Sequence, residues 1–215
     1  MVLSPEATKE IRDLIDERLR QLGLIAWLRI SNPSSPKPNH LYRHLQEEWL
    51  DTTEPQRIIL HWTGGSYTAS SLDKKHYHFL VQGAERPEVI IGEHRVSANS
   101  DTSAGIYAAH VRGWNTDSIG IAICAMAGAK ENGPYGSFPV TELQFAVAAE
   151  LCAELCHHYK INPENVMSHF EVEHRGGPKQ AGKWDVSVVP SMPLKGLALM
   201  ENFRTRVRTH LLSLS

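Results

Sequence analysis

The stretch RIILHWTGG, residues 57–65, decides how the rest of the chain is read. Ile58, Ile59 and Leu60 form an apolar run with no polar alternation, the pattern of a strand covered on both faces. The run stops at His61, and Gly64-Gly65 turns the chain into a loop. A histidine at the C-terminal end of a buried strand, beside a glycine-rich loop, stands at the sheet edge where ligands and metals bind. A lone strand-end histidine also serves purely structural roles, so the weight of His61 rests on the partners the chain supplies.

Size and composition narrow the classes. The chain has 215 residues, enough for one substantial core with appended elements. Its 41% hydrophobic and 21% charged content is ordinary for a globular protein. A formal net charge of −2, with no basic run, argues against a dedicated nucleic-acid binder. No apolar stretch approaches the roughly 18 residues of a membrane span. The N-terminal stretch MVLSPEATKEIRDLIDERLRQLGL lacks the basic-then-apolar order of a secretory signal, so the expectation is a soluble protein, cytoplasmic as synthesised. The three cysteines, Cys124, Cys152 and Cys156, are too few and too scattered for a disulfide framework, and Cys152 and Cys156, four apart on one helix face, read as buried small residues. Twelve histidines are the one compositional excess.

Along the chain, Ser4-Pro5-Glu6 reads as a helix start and Ile11, Leu14, Ile15, Leu19 and Leu22 recur at helical spacing up to Gly23. Residues 31–38, SNPSSPKP, read as a linker, and His40 to Trp49 as a further short helix. Residues 1–54 are thus expected to be an N-terminal helical extension and 55–215 the main domain. There, 77–82 and 88–92 read as paired strands and SIGIAICAM, 118–126, as a third apolar run. Thr141 and Gln144 form a capping box for a helix reaching about Tyr159, with Leu143, Val147, Leu151 and Leu155 on one stripe. A short strand then leads into His169, and a last helix spans roughly 194–212. Alternating strands and helices predict an α/β fold, a single central mixed sheet flanked by helices.

His61 and His169 both follow short apolar runs and would meet at one sheet edge if those strands are neighbours. Two neutral imidazoles with a third protein ligand and a water is the usual arrangement of catalytic zinc. Glu171, Glu173, His174 and Asp185 are all candidates for the third ligand, and spacing does not choose among them.

From Ile58 to Asp185 the chain resembles the zinc-dependent N-acetylmuramoyl-L-alanine amidases, a superfamily that includes phage amidase lysozymes, bacterial cell-wall and muropeptide-recycling amidases, and peptidoglycan recognition proteins. Four segments carry the resemblance in the family's order: IILHWTGG, HYHFLV, AAHVRGWNTDSIGIAI, and SHFEV followed by GKWD. The resemblance implies an amidase-like fold with extra terminal helices, a Zn2+ cofactor, and a peptidoglycan or muropeptide substrate. It makes His61 and His169 zinc ligands and sets Asp185 at the third ligand, with Glu173 or His174 as fallbacks because Val186-Ser187 replaces the family's usual Pro-Gly.

By the same resemblance Lys183 and Tyr77 are catalytic, while His110 and Asn115 shape the substrate groove; Trp62 and Trp114, next to the proposed site residues, suit substrate recognition as aromatic platforms or equally belong to the core. Ala122 stands where the muropeptide-recycling branch carries a glutamate, so the phage-type version of the site, with Tyr77, fits better. The implied activity is cleavage of the bond between N-acetylmuramic acid and L-alanine, with a phage or prophage lytic enzyme favoured. A recycling amidase and a non-catalytic peptidoglycan-binding module are the alternatives.

Overall fold

A computed structural model describes residues 42–214; the expected helix from Ser4, the 31–38 linker and His40 lie outside them. Five strands form one sheet: β1 (Arg57–Trp62), β2 (Phe79–Gln82), β3 (Glu88–Ile91), β4 (Ser118–Ile123) and β5 (Val166–Ser168). Their order is β3-β2-β4-β1-β5, with β1, β2, β4 and β5 parallel and the edge strand β3 antiparallel to β2. Among the described residues three α-helices accompany them: α1 (Ser71–His76), α2 (Glu142–Tyr159) and α3 (Gly196–Ser213).

Strand alternation divides the sheet into two unlike faces. Ile58, Leu60 and Trp62 of β1 join Ile119, Ile121 and Ile123 of β4 in the main core with Phe145, Leu151 and Phe203 of the two long helices. Each such fully buried side chain contributes roughly 1.5–3 kcal/mol. The opposite face carries Ile59 and His61 of β1, and beside them Gly120 and Ala122 of β4. Its apolar patches are small, one around Ile59, Val111, Met167 and Val172, the other around Leu80, Ala122 and Cys124. That thin face is where polar groups gather.

Helix α2 begins as expected, with Thr141 accepting from the Gln144 backbone N–H and Gln144 reaching back to the Thr141 N–H. Its burial is not the expected single stripe. Leu143 and Val147 are only half-buried, whereas Phe145, Ala148, Ala149 and Cys152 are fully enclosed. The reason is that α2 is covered from two sides. One side meets the sheet and α3; the other receives residues 42–45, whose successive backbone N–H groups at Arg43, His44 and Leu45 donate to the buried Glu154 carboxylate. Within the expected 40–49 helix, the described part forms only a short 3-10 turn at Glu47–Trp49. All three cysteines are buried and unpaired, and burial pushes the Cys124 and Cys156 thiols up to about 12. Among the described residues no helix is long and apolar enough to cross a membrane.

Candidate metal centre

The register brings the two histidines together. β1 and β5 pair in parallel with Leu60 opposite Ser168, so His61 and His169, each one residue further on, leave the same sheet edge side by side. Their ring centroids are 4.6 Å apart. The His169 turn (His169–Glu171) is held by a capping box in which Glu171 accepts the Ser168 N–H, and Arg204 of α3 clamps that buried Glu171 at 3.0 Å. The Phe170 N–H donates to the Asp185 carbonyl, which draws Asp185 beside the same turn. His61 Nδ1 stands 3.0 Å and His169 Nδ1 3.2 Å from one oxygen of Asp185. One ligand atom from each of His61, His169 and Asp185 lies within 4.8 Å of the others, and among the described residues these form the one such group of potential metal ligands.

Outer contacts decide which ring nitrogens carry protons. His110 Nε2 faces the Ser118 carbonyl at 3.4 Å, and a carbonyl can only accept, so His110 is protonated there. Burial, and the neighbouring His61, push the His110 imidazole well below its ordinary range, so it is neutral and its Nδ1 accepts. His61 Nε2 donates to that Nδ1 at 3.1 Å. Across the site, His169 Nε2 stands 2.8 Å from Gln180 Oε1, which likewise only accepts. In the form that can bind a cation, with both rings neutral, each Nδ1 offers a lone pair beside the Asp185 carboxylate.

Burial is the main influence on His61 and drives it down to about 4, against the pull of Asp185. Burial would raise the Asp185 carboxyl, but the imidazoles of His169 and His61 outweigh it and hold the group well below the usual carboxylate range. Two imidazole nitrogens and a carboxylate oxygen thus converge on one point, and a His2Asp set with its outer hydrogen bonds fits zinc.

The other expected residues separate into two groups. Tyr77 lies against the centre, its ring 5.2 Å from His61. It does not belong to a strand: it caps α1, and β2 begins at Phe79. Next to Tyr77, His78 is buried between Asn99 and the Gly120 N–H. Burial, then Asp185, raise the Tyr77 phenol, which stays protonated. Lys183 is exposed, and its charge lowers the His61 pKa.

The structure places the four residues expected at the groove as follows. Trp62 alternates with His61 on β1, so it points into the main core and packs on Trp184 at 4.7 Å between ring centroids. Trp114 covers the small apolar patch under Arg57, whose guanidinium is 4.5 Å from its ring centroid. Asn115 turns inward, accepting the His110 and Val111 N–H groups and so shaping the loop that presents His110. His110 is buried against His61 and supports a candidate ligand rather than lining a groove. Glu173 and His174 are exposed and away from the cluster; Glu173 accepts the Gln180 N–H, and His174 stacks on Phe170. Gln180 was not singled out from the sequence, because a lone glutamine in a polar loop carries no signal.

Fold and site together define an α/β protein with three residues that could hold a metal ion at the C-terminal edge of its parallel strands. Residues 51–186 match the family model described as N-acetylmuramoyl-L-alanine amidase, and the chain belongs to that family. A "Probable N-acetylmuramoyl-L-alanine amidase" of Bacillus licheniformis is 25% identical over 136 residues, covering 56% of this chain and 35% of its own length. The chain thus spans about a third of that relative. Similar solved structures include the N-acetylmuramyl-L-alanine amidase AmiD from E. coli, at 19% identity, a TM-score of 0.47, and coverage of 75% of this chain and 60% of that one. Another is the endolysin amidase LysCS from Clostridium intestinale, at 16% identity, a TM-score of 0.42, and coverage of 72% and 84%.

Proposed function

We propose that the protein is a zinc-dependent amidase that hydrolyses the bond between N-acetylmuramic acid and L-alanine in peptidoglycan, in the manner of a phage-type lytic enzyme. The observation that carries the reading is the convergence of three acceptor atoms from His61, His169 and Asp185 in a chain of this family. These three residues would hold the ion, leaving a net charge of about +1 on two neutral imidazoles, one carboxylate and the metal. Bound zinc would lower the pKa of its water toward ~7 and polarise the scissile carbonyl.

The chain's own groups supply the rest. His61, kept neutral by burial, presents a lone pair at working pH. Tyr77, kept protonated, donates a hydrogen bond toward the reacting amide rather than acting as a base. Lys183 sets a positive charge against the developing oxyanion. The phage-type assignment is supported by Ala122, opposite His61 in the sheet register, with the Tyr77 ring packed over the same patch.

The test pairs metal analysis with digestion of purified peptidoglycan and of soluble muropeptides, using wild type and His169→Ala. About one zinc per chain, with new L-alanine amino termini released by wild type alone, is the expected result. Zinc retained without release from either substrate would point to a binding module. No metal, with activity indifferent to chelator, would defeat the proposal.

A further inference from the structure

The loop between the His169 turn and Asp185 contains a buried glutamine whose side-chain amide is engaged at both its oxygen and its nitrogen. Gln180 donates from its side-chain amide to the Arg112 carbonyl at 3.0 Å and the Pro178 carbonyl at 2.9 Å. Those two acceptors fix the orientation of the amide, because a flipped group would set its oxygen against two carbonyls. Oε1 is thereby committed to His169 Nε2 at 2.8 Å. The backbone N–H of Gln180 donates to Glu173, which anchors the loop from its other side. His61 and His169 thus have outer partners of different kinds, a third histidine and an oriented amide.

We propose that Gln180 is a positioning residue that holds His169 as its Nε2–H tautomer, aiming Nδ1 at the metal, and ties the metal centre to the loop carrying Arg112. The inference rests on the zinc reading above but makes a statement about the metal-free chain as well. A histidine whose outer nitrogen lacks an acceptor samples both tautomers, and in half of them the nitrogen facing Asp185 carries a proton that zinc must displace. Loss of such an outer partner typically costs 10–100-fold in metal affinity. Arg112 borders the turn that presents His110, so Gln180 links the surroundings of both candidate histidine ligands.

Two substitutions in the full chain separate the two roles of Gln180. Gln180→Ala removes both acceptor and donors. Gln180→Glu keeps an acceptor for His169 but loses the donations to Arg112 and Pro178. The readouts are zinc dissociation constants by chelator competition and the imidazole tautomer by long-range 1H–15N NMR on metal-free protein, with thermal unfolding to verify folding. Gln180→Ala should weaken zinc ~10–100-fold and convert His169 from one tautomer to a mixture, while Gln180→Glu restores the Nε2–H tautomer and most of the affinity. An unchanged tautomer in Gln180→Ala, or equal zinc loss in both variants, would overturn the proposal in favour of a loop tether. If wild type binds no zinc, the amidase reading fails instead, and the tautomer spectra of the metal-free variants still decide the role of Gln180.

Discussion

The imidazole of His110 lies so close over Gly120 that a Cβ at position 120 would come within 2.5 Å of two of its ring atoms. The backbone of Gly120 is an ordinary strand conformation, so the glycine is required by space and not by dihedral angle. Since His110 receives the Nε2–H of His61, a bare strand position is what allows a candidate ligand to be buttressed from below. Gly120→Ala is expected to displace His110, weaken zinc binding ~10–100-fold and destabilise the fold by about 1–3 kcal/mol. Chelator competition and urea unfolding measure the two effects; normal zinc affinity would show that His61 does not depend on His110.

Asp185→Asn keeps the shape of the third ligand but removes its negative charge and puts an N–H donor in place of one oxygen. In the metal-free chain the two imidazoles favour the charged carboxylate, so its loss should lower stability. Zinc affinity should fall at least ~100-fold, more than loss of an outer partner costs. Urea unfolding in chelator, set beside a zinc titration, gives both numbers. A metal-free variant as stable as wild type would show that the imidazoles do not favour the Asp185 carboxylate.

Tyr77→Phe retains the ring that packs over Leu80, Ala122 and Cys124 and removes only the hydroxyl. Zinc affinity should be unchanged while kcat on muropeptide drops by roughly 10²–10⁴. Since burial keeps the phenol protonated, the wild-type rate profile should show no limb near the ordinary tyrosine pKa. Steady-state kinetics across pH on both proteins tests the pair of statements.

Arg204 lies beyond the family-matched residues, yet it clamps Glu171 beneath the His169 turn with both side chains nearly inaccessible. Arg204→Met leaves a buried carboxylate short of its main partner and should cost about 3–5 kcal/mol. The double variant Arg204→Met, Glu171→Gln should recover part of that loss. Denaturant unfolding of the singles and the double forms the cycle, and simple additivity would mean the two residues are not coupled.

Burial lowers His78 to about 4 while the unfolded side chain titrates at its ordinary value near 6.5. The folded pKa is the lower one, so the unfolded state takes up the proton first as pH falls. Stability from this group is complete above about pH 6.5 and is lost progressively toward pH 4, by roughly 3 kcal/mol at 1.4 kcal/mol per unit. Unfolding free energies of the metal-free chain between pH 7.5 and 4 should fall along that window. His78→Asn should flatten the slope, and a wild-type profile flat across the window would refute the account.

Much of the architecture could be read from apolar runs and caps. Ile58–Leu60, the SIGIA run and Val166-Met167 became neighbouring parallel strands, and Thr141 with Gln144 opened the long helix. Such features are written in local sequence because strand burial and helix capping depend on residues within a few positions. The stripe expected on α2 was not observed, since a helix covered on two sides has no single apolar face. Tyr77 was misplaced onto a strand because strand ends are set by pairing partners and not by propensity.

By itself, then, the sequence determined the family, the strand that ends at His61 and the kinds of ligand available. Only the tertiary structure decided that Asp185, and not Glu173 or His174, faces both imidazoles, that Trp62 turns into the core, and that His110 and Gln180 stand behind the rings. The reason is geometric. A proton's position on an imidazole depends on the acceptor it meets, and that acceptor comes from chain 49 residues away for His61 and from the far side of a loop for His169.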